Sequence, residues 1–419
     1  MAINQVEATT SGHSASPNPP VGGPFTSTPA SILANSLVSL LVAAACFAVT
    51  IPLIGIELEA TFMGTSYAEM SLDPLGGHGP HPERFLSPLL GSLVGLSGDR
   101  YWLFSHGMLV VFLALAHRLV LKKSNSHIWA IAFTLGLAVS GTVEVYRGLV
   151  GYSDPTTYCI LSLCIFYLHR PRVLWLLLGL NLLNHGLTLF MWPWLLYERS
   201  RIARLTRSDV VMAVVAMAVY FFARSQLIEP KATPVFSASW YFTTINWAQA
   251  IELWVLTVPA LVFCFGPLLI VMMWDLVGSR RRQSIIGFAL FLGSMAAVMV
   301  LAIDIFRFVG LLAFPMLAAM YRRLQPSKRS LWTLVAAVGL MLAMLPLQRM
   351  LCEYLLQRHV EFTMQGLTYP MLAGVVPACW PAFVGYVVFV VLLFVVARHT
   401  APQTDNETLT NDGPAIRLE

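Results

Sequence analysis

Long apolar runs separated by tight clusters of Lys and Arg constrain this chain more than any other feature of its sequence. A bilayer core takes about 20 apolar residues per helical crossing, and runs of that order fill most of the 419 residues. Only 11% of the residues are charged, where a soluble domain carries about 25%, so a water-soluble globule is excluded. The mean hydropathy of +0.71 points the same way. The expected fold class is an all-α polytopic membrane protein with about 10–12 transmembrane helices, some short and broken. One multi-helix domain over residues 34–398 accounts for nearly the whole chain.

The 26 basic and 21 acidic residues leave a net charge of +5, but their placement says more than the sum and gives no reason to expect a nucleic acid partner. The six cysteines form no CxxC pair, so neither a zinc knuckle nor a disulfide framework is indicated. Residues 1–33 are rich in Ser, Thr, Pro, Gly and Ala, with Glu7 their only acid and no Lys or Arg. They read as a disordered tail before a retained first helix, because a cleaved leader would carry basic residues directly before the apolar run. Residues 399–419 read as a second solvated, cytoplasmic tail.

The basic clusters are Lys122–Lys123, Arg170 and Arg172, Arg199 to Arg207, Arg280 to Arg282, Arg322 to Arg329, and Arg398. Such clusters mark cytoplasmic loops, which puts both termini inside. The stretches between them must then leave and return, and residues 57–100 become a large outer loop. One interval resists this scheme. Val173 to Tyr197 holds 25 residues, enough for one crossing at about 1.5 Å per residue, yet both its ends are basic. The favoured reading is two short helices that enter and come back, joined at Asn184, His185 and Gly186, where polar and flexible residues suit an interrupted backbone. The alternative is that one end breaks the charge rule.

This topology gathers the unusual polar groups on the outer side: Glu57 and Glu59 after the first helix; Asp73, His78, His81, Glu83 and Arg84 in the loop; Glu144, Arg147 and Asp154; Asn181, Asn184 and His185; and Asp304 with Arg307. Ionisable groups at membrane depth are costly unless paired or facing a polar hollow, so their convergence marks a candidate site. Each also has a plainer explanation. Asp304 and Arg307, like Glu144 and Arg147, are spaced i, i+3 and can neutralise one another. His185 can be a packing histidine, and Glu57 and Glu59 a solvated helix end. The Trp and Tyr residues at 101, 102, 192, 194, 240, 241 and 247 read as interfacial anchors. Within the outer loop, Tyr67 to Leu72 and Phe85 to Val94 are amphipathic stretches separated by a Gly/Pro/His turn, which suits helices lying in the interface. Arg84 beside Phe85, Leu86, Leu89 and Leu90 places a guanidinium at headgroup height, fitted either to a specific lipid phosphate or to ordinary anionic lipid.

Several segments resemble the C-type (GT-C) superfamily of integral membrane glycosyltransferases, which use polyprenyl-phosphate-linked sugars. The first helix runs into Glu57 and Glu59 at the head of a loop containing "YAEM" and "ERFLSPLLG", similar to a Tyr-x-x-Met/Arg-x-Leu-x-Pro-Leu pattern. "SDPTTYCILSLCIFYLHRPR" followed by "LLLGLNLLNHGLTLFMWPWLL" resembles the short-helix pair of that superfamily, and "AIDIFRFVGLLAFPML" its later turn with an acid and an Arg ahead of a Pro-bearing helix. The resemblance covers roughly the first 320 residues. It departs in two ways: Gly186 stands where many members have Glu or Lys, and there is no sizeable extramembrane domain after the last helices.

The resemblance implies an inverting transfer on the outer face of a bacterial inner membrane, with a polyprenyl-phosphate-linked sugar and membrane lipid as partners. It implies Glu57 or Glu59 as the base that takes the acceptor proton, Arg84, Arg147, Arg307 and Tyr67 around the donor phosphate, and Asn184, His185, Asp304 and Asp154 orienting the substrates. A divalent cation, Mg or Mn, is left open, since the acids form no recognisable ligand set. Two rivals are a multi-pass transporter, which also uses broken helices, and a lipid-linked polysaccharide polymerase or ligase. Against the first, no inverted repeat is evident; against the second, the large loop lies early in the chain.

Overall fold

The computed structural model describes residues 29–61, 63–76, 84–227, 265–278, 281–301, 310–323, 327–364 and 372–402. Among these, all regular structure is helical. The expected site residues Asp304 and Arg307, the loop residues His78, His81 and Glu83, and the aromatics at 240, 241 and 247 lie outside the described residues.

Helix α1, Pro29–Thr50, contains no charged residue and passes into a π-helical turn, Ile51–Gly55. Pro52 cannot donate to the preceding turn, and Gly55 with φ of 76° ends the run. The helix begins at Pro29, where a tail through residue 33 was expected; proline is preset for a first helical turn. Two short helices follow, α2 (Met63–Met70) and α3 (Leu86–Leu93), then α4 (Tyr101–Ser124), α5 (His127–Ala138), α6 (Gly141–Arg147) and α7 (Asp154–Phe166). Asn125 in the left-handed region closes α4, and the Ser126 hydroxyl caps α5 by accepting from Trp129 N, which makes a tight hairpin. Next come α8 (Pro171–Asn184), a 3-10 turn (Gly186–Met191), α9 (Trp192–Ser200) and α10 (Arg207–Leu227). The last helices are α11 (Ile270–Val277), α12 (Arg281–Leu301), α13 (Ala313–Arg323), α14 (Lys328–Met364) and α15 (Leu372–Thr400).

Five of these runs are long and apolar enough to cross a membrane: Ala30–Gly55, Gly98–Ser124, His127–Arg147, Arg207–Gln226 and Lys328–Leu347. Shorter apolar helices accompany them at Asp154–Phe166, Gly266–Val277, Gly310–Arg322 and Val384–Thr400. The lipid-facing surface is plain on α10, where Val210, Val211, Val214, Phe221 and Phe222 are each more than half exposed. Leaving such side chains in water costs about 1.5–3 kcal/mol each at full exposure, so hydrocarbon is their natural solvent. The chain is an all-α membrane protein.

Side-chain contacts fix the relative direction of several helices. His117 Nδ1 lies 2.9 Å from Ser39 Oγ, and the Phe47 and His106 rings are 5.4 Å apart, so α1 and α4 run antiparallel. Ser105 donates to the Tyr152 carbonyl and Cys159 Sγ to that of Met108, so α4 and α7 run parallel. Between Val173 and Tyr197 the backbone breaks at His185, which is extended (φ −155°, ψ 100°), and the chain turns back on itself. The Trp175 and Trp192 rings then meet edge to face at 5.1 Å, and Arg199 Nη1 donates to the Leu168 carbonyl at 2.5 Å. Both basic ends of this interval therefore share one face.

The other basic clusters join them there. Lys123 sits over the Tyr321 ring, Tyr197 donates to the Gln283 carbonyl, Arg322 binds Glu198, and Arg329 donates to the His399 carbonyl. His169, in the turn between α7 and α8, is held below the usual imidazole range, first by desolvation and then by Arg170, Lys122, Arg199 and Lys123. We call this the basic face, and the opposite end of the bundle the far face.

Three aromatics expected at the interface are instead core. Tyr101 is buried against Tyr67, Phe104 and Ser87, and Trp192 and Trp194 are buried because the break at His185 carries α9 back into the bundle, where Trp194 packs on Phe291 at 5.4 Å. Trp102 is half-buried against His106.

Candidate functional site

The far face is assembled around the turn between α6 and α7. Thr61, six residues after the π-helical turn, donates its N–H to the Val150 carbonyl at 3.0 Å and accepts from Val150 N at 3.1 Å. Gly64 and Gly151 touch there: a Cβ on Gly64 would overlap the Val150 carbonyl, and Gly151 has φ of 87°. Only glycine permits so close a crossing. Glu57 and Glu59 are consequently held beside this turn, both exposed.

From the same turn a line of contacts reaches the break in α8. Arg84 Nη1 donates to the buried Tyr67 hydroxyl at 3.4 Å, and the Tyr67 ring lies 4.9 Å from Tyr152. Tyr152 precedes Ser153 and Asp154, and Asp154 is buried in the first turn of α7. Asn184 Nδ2 donates to the Ser153 carbonyl at 2.9 Å and to Thr157 Oγ1 at 2.8 Å, which holds the end of α8 against the start of α7. His185, next in sequence, is buried. Ser87 Oγ, 2.8 Å from Tyr101 Oη and 2.9 Å from Thr156 Oγ1, fastens α3 to α4 and α7.

Arg84, Tyr67, Asp154, Asn184 and His185 are thus brought together through adjoining residues. Glu144 and Arg147 form an ion pair at 3.6 Å along α6, the self-neutralising arrangement that their spacing allows. Thr142 on α6 donates to the Gly310 carbonyl at 3.2 Å, so the chain emerging from the segment that holds Asp304 and Arg307 arrives at α6.

Sequence reasoning passed over two sets of residues. One is His106, whose Nδ1 lies 2.9 Å from the Tyr146 hydroxyl and whose ring is edged by Phe47, Trp102 and Tyr146. Nothing in its neighbourhood in the sequence marks it. The other is a buried charge network at the basic face. Arg322 binds Glu198 and, at 2.8 Å, Asp275; Arg201 reaches Glu198 at 3.4 Å and Ser284 at 3.2 Å; Arg199 clamps Asp209. A signal was present, since Glu198 and Asp209 flank a basic cluster and Asp275 precedes another. Among the described residues no group of three or more His, Cys, Asp or Glu side chains is placed to hold a metal ion.

In comparisons with known proteins, no family model matches the chain, and neither does any curated protein or solved structure.

Proposed function

We propose that this membrane protein is a C-type glycosyltransferase that moves a sugar from a polyprenyl-phosphate donor to an acceptor at the far face. The observation that carries this reading is the Arg84–Tyr67–Tyr152 contact, which hangs α2 and α3 over the turn bearing Asp154 and over the break at Asn184–His185. It joins a cation suited to a phosphate with buried hydroxyl, amide and carboxylate groups suited to a sugar.

In the transfer, the acceptor oxygen bonds to the anomeric carbon as the bond from that carbon to the phosphate oxygen breaks, with inversion. The phosphate leaves with the bonding electrons, and the acceptor proton passes to Glu57 or Glu59. Arg84, with Tyr67 beside it, stabilises the departing phosphate, joined by Arg147 and Arg307; Asn184, His185, Asp304 and Asp154 orient the sugars. On this reading the short apolar helices are further passes beside the five long runs, within the expected architecture of about 10–12 crossings. The basic face is then cytoplasmic with both termini, the site opens outward, and the membrane is a bacterial inner membrane. Magnesium or manganese is the cation to test, together with chelator.

The test supplies membranes containing the protein with radiolabelled polyprenyl-phosphate sugars. Transfer that is lost in Glu57→Ala, Glu59→Ala or Arg84→Ala supports the reading, and transfer unchanged in all of them overturns it.

The helix broken at His185, inside the bundle, also suits a transporter. Solute uptake into proteoliposomes, abolished by substitutions at Asn184 and His185 with no sugar transfer, would favour that reading instead.

A further inference from the structure

Within the basic face, positive charge converges on one point. His169 is exposed in the turn between α7 and α8, and after desolvation it is Arg170 from its own turn, Lys122 and Lys123 from the end of α4, and Arg199 from α9 that disfavour its imidazolium. Two of these cations are laid over aromatic rings. Lys123 Nζ lies 4.1 Å from the centre of the Tyr321 ring on α13, and the Arg170 guanidinium 5.9 Å from that of Tyr167. Arg199 sits under the same turn, donating to the Leu168 carbonyl at 2.5 Å.

Elsewhere on this face the buried arginines have acids of their own. Among the described residues, Asp209 is held by Arg199, and Glu198 and Asp275 by Arg322. None of the three acids answers Lys122, Lys123 or Arg170, which are exposed. A cluster of cations without acids is fitted to an anion, and the ring contacts order two long side chains before one arrives. What kind of anion follows from the surface next to it. Arg172, Leu176 and Leu180 stand at i, i+4 and i+8 on α8, and all three are exposed, Leu176 by 60%. One stripe therefore starts in a guanidinium and continues in leucines. A soluble anion would use only the charges, whereas a lipid uses the leucines as well.

We infer that Lys122, Lys123, Arg170 and Arg172 form a binding site for the phosphate headgroup of an anionic phospholipid, with an acyl chain along Leu176 and Leu180. The site lies at the opposite end of the bundle from the proposed transfer and stands without it. The lysines meet the phosphate as point charges, and the arginines through paired hydrogen bonds. A phosphodiester there opposes the cations around His169, so the imidazole takes a proton more readily in the lipid-bound state. By linkage, binding tightens as pH falls through the range in which His169 titrates.

The test uses the purified full-length chain in an uncharged detergent, with dihexanoyl phosphatidylglycerol, dihexanoyl phosphatidylcholine and inorganic phosphate as probes. Histidine 13C NMR follows His169, assigned by the signal lost in His169→Gln. Phosphatidylglycerol should move the His169 titration to higher pH, while phosphatidylcholine and phosphate at the same concentration leave it in place. Lys122→Gln with Arg170→Gln should weaken phosphatidylglycerol binding by about tenfold or more, each cation near a lipid surface contributing about 1 kcal/mol. Arg281→Gln with Arg282→Gln removes as much charge from the same face and should leave the affinity nearly unchanged. If the first pair lowers the Tm, Lys122→Gln alone serves, with a several-fold loss expected. Equal weakening by the two pairs overturns the site in favour of diffuse charge on the face. Phosphate acting as well as phosphatidylglycerol overturns the lipid, and a His169 titration that phosphatidylglycerol does not move overturns the location.

Discussion

Arg199 holds Asp209 by two parallel hydrogen bonds, Nε to Oδ1 at 2.6 Å and Nη2 to Oδ2 at 3.1 Å, with both residues buried. Asp209 also accepts from Thr206 N at 2.9 Å, Thr206 Oγ1 at 3.0 Å and Trp175 Nε1 at 3.2 Å, so one carboxylate caps α10 and ties it to α8 and α9. Removing one partner leaves a buried charge uncompensated, a loss of about 3–5 kcal/mol. Asp209→Ala should therefore lower the Tm of the detergent-solubilised protein sharply. The double variant Arg199→Met, Asp209→Leu should recover most of the loss, and equal destabilisation in single and double variants would show that the pair is not coupled.

The return at His185 makes a topological prediction. In a cysteine-free background, Arg172→Cys and Ser200→Cys should react with an impermeant thiol reagent from the same side of sealed vesicles, and Glu59→Cys from the other. Labelling of the first two from opposite sides would mean a straight span. Opposite labelling of Glu57→Cys and Arg307→Cys would dissolve the shared site.

Gly310 packs so closely on Tyr158 that a Cβ there would overlap the phenol oxygen. Gly310→Ala should destabilise the protein by about 1–3 kcal/mol, the usual cost of overpacking. Adding Tyr158→Phe removes the overlapping oxygen and should restore part of the Tm. No rescue would indicate that the glycine is needed for its backbone instead.

Tyr67 is buried and receives a hydrogen bond from Arg84. Tyr67→Phe should cost about 1 kcal/mol of stability and, in the transfer assay, raise KM for the lipid donor several-fold with kcat little changed. Arg84→Lys, which keeps the charge and loses the planar fork, should lower kcat as well. A wild-type KM in Tyr67→Phe would remove Tyr67 from the positioning of Arg84.

The periodic basic clusters made the topology legible, because loops rich in Lys and Arg all belong to one side, and the described clusters do meet at one face. The break at Asn184–His185–Gly186 was legible as well, since 25 residues with basic ends fit either one span or two halves, and polar residues marked the fold point. Of the two helices expected to lie in the interface, the second, Leu86–Leu93, falls within its expected stretch, whereas the first, Met63–Met70, begins a turn early, where Gly64 must meet Val150. Contacts of that kind join distant segments and leave no periodic trace. For the same reason Trp192 and Trp194 read as interfacial, when only the reversal of the chain shows them to be core. Asn181 was noticed as one polar residue beside the break; that its amide is orphaned depends on what α7 brings alongside.

The two ends of the bundle are fastened differently. At the basic face, clamps such as Arg199–Asp209 and Arg322–Glu198–Asp275 join helix to helix through charge, while at the far face Ser87–Thr156 and Asn184–Thr157 do so through neutral groups worth about 1 kcal/mol each. A bundle riveted at one end and laced at the other costs less to open at the laced end. In the proposed transfer, a bulky lipid-borne donor would part the far-face tips of α3, α7 and α8 without loosening the base on which they stand.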